Sequence, residues 1–175
     1  DMARIEAGAL PIKDEAIDLL DAVAGAVDDT RASLQGHAIE MEVAPDTPLV
    51  RLDPVLLHHC LINLLDNAGR YAHPGTPITI RCLRSPDALL LSVIDQGPGI
   101  PRGQERRVFE TFTRLEGSDR ARQGTGLGLA IVRAFAEAMD LTVEAANRDD
   151  PQGACFTIRI PARRIIMPIE DGELS

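Results

Sequence analysis

The alternation of apolar and polar positions divides this chain into helical and extended segments. Apolar residues spaced three and four apart predict helices over three ranges, 17–34, 54–71 and 125–139. Alternating positions or short apolar runs predict strands over six ranges, 38–43, 49–52, 77–84, 88–95, 141–146 and 154–160. This order predicts an α+β fold, a two-layer sandwich whose mixed, mostly antiparallel sheet carries helices packed on one face.

The helix predicted over 54–71 has the clearest boundaries. Asp53 can cap its free amides and Pro54 suits its first position, while Pro74 and Gly75 prevent the helix from continuing beyond its predicted end. Its buried face should consist of five aliphatic residues, Leu57, Leu61, Leu64, Leu65 and Ala68. A second face is polar and carries His59, Asn63, Asp66, Asn67 and Arg70. In the third helix the inward residues should be Leu127, Ile131, Ala134, Phe135 and Ala138.

The two ends of the chain differ in character from its middle. Residues 1–10 look like the last turns of a helix that Pro11 stops, and residues 163–175 form an acidic, polar tail that we expect to be loose. One domain is therefore expected over residues 11–162. Since 45% of the residues are hydrophobic but only 3% are aromatic, its core should be aliphatic.

The charge of the chain excludes some classes of function. A net charge of −9 argues against general nucleic-acid binding, which requires clustered basic residues. Three scattered cysteines without CxxC spacing argue against structural zinc or a disulfide framework and fit the reducing cytoplasm. No run approaches the roughly 18 apolar residues of a membrane span. The segment 97–123 is locally basic, which indicates either a solvated loop or a site for a phosphate-bearing ligand.

The first cluster of chemically interesting residues lies on the second helix. Asn63 and Asn67 are four residues apart, so their amides share one face, and Arg70 follows one turn later. Amide oxygens suit Mg²⁺, and a guanidinium suits phosphate. A solvated polar face would show the same pattern, so this cluster alone leaves both interpretations open.

The second cluster, residues 95–101 (DQGPGIP), follows an apolar strand. A carboxylate at Asp95 can accept a hydrogen bond from an exocyclic amine such as that of adenine. Gly97 and Gly99 would let the backbone approach a flat ring closely. A strand followed by an ordinary Gly-Pro turn is the alternative.

The third cluster, residues 123–129 (QGTGLGL), opens the third predicted helix. Glycine-rich backbone with free amides at a helix N-terminus can cradle phosphate. The dinucleotide-binding fingerprint does not fit, because Leu129 stands where it needs a third glycine and a basic loop, not a strand, precedes the motif. The P-loop does not fit either, because Leu129 and Ala130 replace its Lys-Ser/Thr.

Together with residues 108–114 (VFETFTR), these clusters resemble the N, G1, F and G2 boxes of bacterial sensor histidine kinases, and they occur in that family's order. That family shares its Bergerat-type ATPase fold with gyrase B, Hsp90 and MutL. The boxes cover about residues 53–132, and residues 1–8 (DMARIEAG) resemble the end of the dimerisation helix that precedes such a domain. Within the family, the potassium-responsive Kdp sensor kinases are the most similar group. The resemblance implies a cytoplasmic catalytic domain that binds ATP and Mg²⁺.

The resemblance also implies roles for single residues around the phosphates. Asn67 would hold Mg²⁺ with Asn63 in support, and Arg70, where the family often has Lys, would contact phosphate. Arg114 would reach the γ-phosphate when the lid over the site closes. The G2 box would hinge that lid and contact the nucleotide, and it comprises Gly124, Thr125, Gly126, Leu127, Gly128 and Leu129.

Around the base, the resemblance implies a second set of roles. Tyr71 would border the nucleotide and Asp95 would accept a hydrogen bond from the adenine amine. Gly97, Gly99 and Ile100 would shape the wall of the base pocket. Phe109 and Phe112 would anchor the lid by packing. One departure is Gly69, where the family often has a larger residue.

Two further features define the expected reaction. ATP-hydrolysing relatives place a Glu four residues before the Mg²⁺-binding Asn, and Asn63 stands there instead, so this domain should transfer the γ-phosphate to a protein. A kinase of this family phosphorylates a His followed by an acidic residue, and none of the four histidines here has that neighbour. The acceptor should therefore lie on a dimerisation module of the same parent kinase, which then serves a response regulator, and the present chain should be monomeric.

Two alternatives remain open at the level of the sequence. A protein-serine kinase of the anti-sigma type has the same fold, although such proteins are usually free-standing. A non-catalytic interaction module would be expected to lack residues at Asp95, Asn67 or the glycines, and all of them are present.

Overall fold

A computed structural model describes residues 11–110 and 128–167 of the 175-residue chain. It contains a five-stranded sheet in the order β2-β4-β5-β7-β6 and a separate two-stranded sheet, β1-β3. The seven strands are β1 (Glu15–Ile17), β2 (Ile39–Glu42), β3 (Val50–Leu52), β4 (Ile78–Ser85), β5 (Ala88–Ile94), β6 (Thr142–Asp149) and β7 (Gln152–Pro161). In the larger sheet β2 is parallel to β4, and the other neighbours are antiparallel. The predicted mixed, mostly antiparallel sheet is therefore confirmed.

Three α-helices accompany these strands, α1 (Leu19–Asp29), α2 (Pro54–Tyr71) and α3 (Gly128–Ala138). Their apolar residues join one aliphatic core with alternate strand residues, such as Ile78 and Ile80 of β4. Between them Thr79 points to the other face of the sheet, as does Leu83, which is 55% exposed. The helices thus cover one face of the sheet, as the predicted two-layer sandwich requires.

The second helix forms as the sequence predicts. The Oδ1 atom of Asp53 accepts hydrogen bonds from the backbone N–H groups of Val55 (2.9 Å) and Leu56 (3.2 Å). All five residues of the predicted inward face are buried, Leu57, Leu61, Leu64, Leu65 and Ala68. Capping and apolar spacing are local properties, which is why the sequence located this element accurately.

Other elements differ from the prediction. The range 17–34 was expected to be one helix, but its start belongs to β1, and α1 spans only Leu19–Asp29 with Asp18 as its N-cap. In α3, Phe135 is fully buried as expected, whereas Ile131, Ala134 and Ala138 are only partly buried. The fully buried positions beside Phe135 include Val132 and Ala136, because α3 also packs against α2 and not only onto the sheet.

Residues 163–167, the described start of the tail that the sequence predicts to be loose, contact the rest of the domain. The guanidinium of Arg164 donates to Asp14 (2.6 Å) and to Asp140 (3.0 Å), so it ties both the start of the domain and the α3–β6 turn to this segment. The backbone N–H of Ile166 donates to the carbonyl of Leu49 at 2.8 Å. Residues 1–10 and 168–175, including the proposed end of the dimerisation helix, lie outside the described residues. In the described part of the chain no helix is long and apolar enough to cross a membrane.

Candidate nucleotide-binding site

The polar face of α2 forms the floor of the candidate site. Asn63, Asn67 and Tyr71 follow each other at four-residue intervals, so they line one face of the helix over about 12 Å. One end of this face, at Asn63, meets the start of α3. The other end, at Tyr71, meets the loop that follows Asp95. We call the first end, with Asn63, Asn67 and Gly128, the helix side, and Asp95 with residues 96–101 the loop side.

The helix side is set by the packing of α3 against α2. A Cβ at Gly128 would lie 3.3 Å from Asn63 Oδ1, Cys60 Sγ is 3.7 Å from the Val132 carbonyl, and the His59 and Phe135 rings meet edge to face at 5.7 Å. Since residue numbers rise along α3 as they fall along α2, the two helices are antiparallel. This packing brings Gly128, the last glycine of the third sequence cluster, onto Asn63. Leu129 packs at the edge of the core.

The two asparagines of the helix side are in different states. Asn63 Nδ2 donates to the carbonyl of His59 at 2.7 Å, which leaves its oxygen directed toward Gly128. Asn67 Nδ2 is buried and has no hydrogen-bond partner among the described residues. A buried amide without a protein partner is rare because it forfeits hydrogen bonds made in the unfolded chain. Asn67 Nδ2 is therefore suited to donate a hydrogen bond to an acceptor on a ligand, such as a phosphate oxygen.

On the loop side, Asp95 is 1% exposed and organises the backbone around it. Its Oδ1 atom accepts hydrogen bonds from the N–H groups of Gly97 (2.9 Å) and Ala154 (3.3 Å). A buried carboxylate is a costly group to keep without strong partners. These two backbone donors fix the orientation of the carboxylate at the end of β5.

Two glycines allow the backbone to come this close. A side chain at Gly97 would collide with the carbonyl oxygen of Tyr71, so the loop can lie against the end of α2 only if this position is glycine. A side chain at Gly153 would collide with the carbonyl oxygen of Asp95, which directly follows the neighbouring strand β5. Gly97 was predicted from the sequence, but Gly153 was not.

The loop is tied down at every second or third residue. The carbonyl of Gln96 accepts from the His73 N–H at 3.1 Å, and the carbonyl of Pro98 accepts from Gln152 Nε2 at 3.0 Å. The side chain of Asn147 contacts both backbone groups of Ile100. Ile100 itself is 3% exposed and joins the core, so this predicted pocket residue also anchors the loop.

The structure locates most of the predicted site residues. It brings Asn63, Asn67 and Gly128 together on the helix side, and Tyr71, Asp95, Gly97, Gly99 and Ile100 together on the loop side. Arg70 lies exposed on the last turn of α2. Arg114, Phe112, Gly124, Thr125, Gly126 and Leu127 lie outside the described residues. Phe109 packs edge to face on Phe156 with ring centroids 6.2 Å apart, which is the packing role expected for it.

Residues that could have competed for a chemical role make structural contacts instead. Burial raises the pKa of the Cys60 thiol to about 12, so it stays protonated and packs between α2 and α3. His58 Nε2 lies 2.9 Å from Asp29 Oδ2, and His59 packs on Phe135. Gly69, the departure seen in the sequence, lies under the backbone of Ser33, whose carbonyl oxygen would be 2.5 Å from an added Cβ.

Sequence reasoning missed the part of the site that the β6–β7 hairpin supplies, Asn147, Gln152, Gly153 and Ala154. One signal was available, because Asn is disfavoured inside strands and Asn147 nonetheless lies within β6. The partners of these residues lie about 50 residues earlier in the chain, so no local motif contains them.

Comparison with known proteins identifies the family of this chain. Residues 52–164 match the family model described as histidine kinase-, DNA gyrase B- and HSP90-like ATPase. The chain belongs to this ATPase family. It is 37% identical over 161 residues to the sensor protein KdpD of Escherichia coli K12, covering 92% of this chain and 18% of that protein. It is 35% identical over 162 residues to the probable sensor histidine kinase TcrY of Mycobacterium tuberculosis, covering 91% of this chain and 33% of that protein.

Solved structures give the same result. The mycobacterial sensor histidine kinase MprB superposes with a TM-score of 0.74 at 28% identity, covering 85% of this chain and 97% of that chain. The full-length ShkA structure in complex with AMPPNP superposes with a TM-score of 0.78 at 25% identity, covering 91% of this chain and 33% of that one. The chain is thus an ATP-binding domain of the sensor histidine kinase type, and it spans between 18% and 42% of the length of the first three curated relatives.

Proposed function

We propose that this domain binds Mg-ATP in the groove along α2 and transfers the γ-phosphate to a histidine on a separate dimerisation module of its parent kinase. One observation carries the proposal. The polar face of α2 joins a buried carboxylate at one end to Gly128, the first residue of α3, at the other, over about 12 Å. A nucleoside triphosphate presents the complementary groups in the same order, with an amine-bearing base at one end and phosphates at the other.

On the loop side, Asp95 would select the base. Its carboxylate would accept a hydrogen bond from the exocyclic amine of adenine, while guanine presents a carbonyl oxygen at that position and would be repelled. The backbone donors from Gly97 and Ala154 hold the carboxylate in place before the nucleotide arrives. Such preorganisation reduces the free energy that ordering would otherwise cost on binding.

On the helix side, the asparagines would bind the phosphate end. The Asn67 amide oxygen would be the ligand for Mg²⁺, and its Nδ2 donor, which has no partner among the described residues, would donate to a phosphate oxygen. When bound, Mg²⁺ would neutralise charge on the phosphates. Asn63 would support Asn67, and Arg70, Arg114 and the glycine-rich segment 124–129 would contact the phosphates. Because Asn63 is not a carboxylate, this face has no base at that position to activate water, which favours transfer over hydrolysis.

The base assignment is tested by substituting Asp95 with Asn. The amide oxygen can still accept the N–H groups of Gly97 and Ala154, so the fold should be kept, but the amide nitrogen would then face the adenine amine with a second donor. We expect ADP affinity to fall by at least about 100-fold, a range set by sites that leave buried polar groups unpaired. Calorimetric titration of ADP and GDP, with and without Mg²⁺, measures this. Unchanged ADP affinity would contradict the assignment.

The transfer step is tested separately with labelled ATP. The chain alone should not become labelled, because none of its histidines is followed by an acidic residue. Added dimerisation hairpin of the parent kinase should acquire an acid-labile, base-stable phosphate. An acid-stable phosphate on a protein would favour the protein-serine kinase alternative instead. A chain that binds ADP but labels no hairpin would favour a regulatory binding module.

The role of the rest of the parent protein is proposed from the relatives of this chain. The curated relatives are sensor proteins several times longer than this chain. We therefore expect the parent to carry the sensing part and the acceptor histidine, to pass the phosphate to a response regulator, and to hold this domain in the cytoplasm. The isolated domain should be monomeric, which sedimentation analysis would measure.

A further inference from the structure

Asp95 and Asn147 stand in the same row of the sheet. The backbone N–H of Asp95 donates to the carbonyl of Ala154 at 3.0 Å, and Ala154 is the cross-strand partner of Asn147. Side chains of directly opposed residues in antiparallel strands lie on the same face. Asn147 on the edge strand β6 is therefore two strands, or about 10 Å, from Asp95 on the face that carries the helices.

The loop that leaves Asp95 crosses this row and ends at Asn147. Asn147 Oδ1 accepts a hydrogen bond from the Ile100 N–H at 2.6 Å, and Asn147 Nδ2 donates to the Ile100 carbonyl at 2.7 Å. A side-chain amide thus makes the pair of hydrogen bonds that a neighbouring strand would make to Ile100. The loop is fastened at Asp95 at its start and at Asn147 at its far end.

Gly99 shows that the loop and Asn147 fit each other closely. Gly99 has φ = +80°, which a glycine adopts without strain, and an added Cβ would lie 2.6 Å from Asn147 Oδ1. The glycine is therefore required both by the backbone turn and by the position of the asparagine. A second hairpin residue, Gln152, donates through its side chain to the Pro98 carbonyl, in the middle of the loop.

We propose that Asn147 is a positioning residue for the nucleotide base: it holds the Gly97–Ile100 wall at the distance from α2 that adenine requires. The proposal rests on the proposed ATP site. The Asn147 side chain is itself exposed, whereas its partner Ile100 is buried in the core, so we expect removal of the two hydrogen bonds to loosen the loop before it unfolds the domain.

The experiment uses Asn147→Ala in the 175-residue chain, with Glu144→Gln as the matched control on the same strand. The first measurement is amide hydrogen exchange without nucleotide. The Ile100 amide should exchange about ten-fold faster in Asn147→Ala and unchanged in Glu144→Gln, since each removed hydrogen bond contributes about a factor of ten at most. The melting temperature should change little in either variant. Unchanged exchange at Ile100 would show that Asn147 does not hold the loop, and would overturn the proposal.

The second measurement is calorimetric titration with ADP and GDP, each with and without Mg²⁺. In Asn147→Ala, ADP affinity should fall by about five-fold, by the same factor with and without Mg²⁺, and the preference for ADP over GDP should narrow. General destabilisation would not alter base preference. A loosened Ile100 with unchanged ADP affinity and base preference would overturn the positioning role. If the unsubstituted chain bound no ADP, the proposed nucleotide site would be wrong and the positioning role would fall with it. The hydrogen-exchange result would still show whether Asn147 holds the loop, so the two failures can be told apart.

Discussion

The loop side and the helix side of the site are built in different ways. On the loop side, backbone donors and hairpin side chains fix each successive part of the segment from Asp95 to Ile100. On the helix side, the side chains stand on one rigid helix, yet the Asn67 amide nitrogen has no hydrogen-bond partner among the described residues. The loop side is therefore preorganised by the protein, while the helix side has a polar group available for a ligand.

This difference matches the chemistry of the two ends of a nucleotide. A flat base is recognised by shape and by one or two directional hydrogen bonds, so its pocket must be formed in advance. Phosphates with a bound cation bring their own charge and solvation, and flexible groups can adjust to them. Stability and base selectivity should accordingly depend on the loop side, and the response to Mg²⁺ on the helix side.

The largest expected effect comes from Gly153→Ala. The added Cβ would collide with the Asp95 carbonyl oxygen, so β5 and β7 would have to separate where the loop begins. We expect the free energy of unfolding to fall by about 3 kcal/mol or more, as for other severe backbone clashes. Urea unfolding measures it.

Gly25→Ala is the matched control for that substitution. Gly25 lies inside α1, and nothing lies within 4 Å of a Cβ added there. The same chemical change should stabilise the protein by about 0.5–1 kcal/mol, because alanine favours a helix. Equal effects at both positions would show that the close contact between residue 153 and the Asp95 carbonyl does not affect the free energy of unfolding.

A smaller and more selective effect is expected for Asn67→Ala. The loss of the carboxamide should weaken Mg-ADP binding by about ten-fold or more, and should leave metal-free ADP nearly unchanged. Stability should rise slightly or stay constant, since a buried group without a protein partner is removed. Titration of ADP at several Mg²⁺ concentrations measures this, and an equal loss without Mg²⁺ would assign Asn67 to the nucleotide rather than to the ion.

The smallest effect on nucleotide binding is expected at the foot of α2, which belongs to neither side. Asp53 caps the helix and its Oδ2 atom also accepts the Lys13 N–H at 2.9 Å. Asp53→Ala should lower the free energy of unfolding by about 1–2 kcal/mol, the usual range for a lost N-cap. Nucleotide preference and Mg²⁺ dependence should be unchanged, because Asn63, the near end of the site, lies nearly three turns away. A change in base preference would show that the helix ends are coupled to the loop.

The sequence alone determined the elements whose causes are local. A cap, a Pro at the first turn and aliphatic spacing located α2, and the hydrophobic runs located β4 and β5 within about one residue. The site residues that sit in compact motifs, Asn63, Asn67, Asp95 and Gly97, could be predicted for the same reason. Each motif is contained within about ten consecutive residues.

Only the tertiary structure decided what depends on distant parts of the chain. The strand β1 is three residues long and exists through pairing with β3, some 35 residues later, and the inward face of α3 depends on its contact with α2. Asn147 and Gly153 acquire their roles because sheet register places them beside Asp95 and Ile100. Register is set by the packing of the whole sheet, so the residues next to a side chain in the sequence do not predict its partner on another strand.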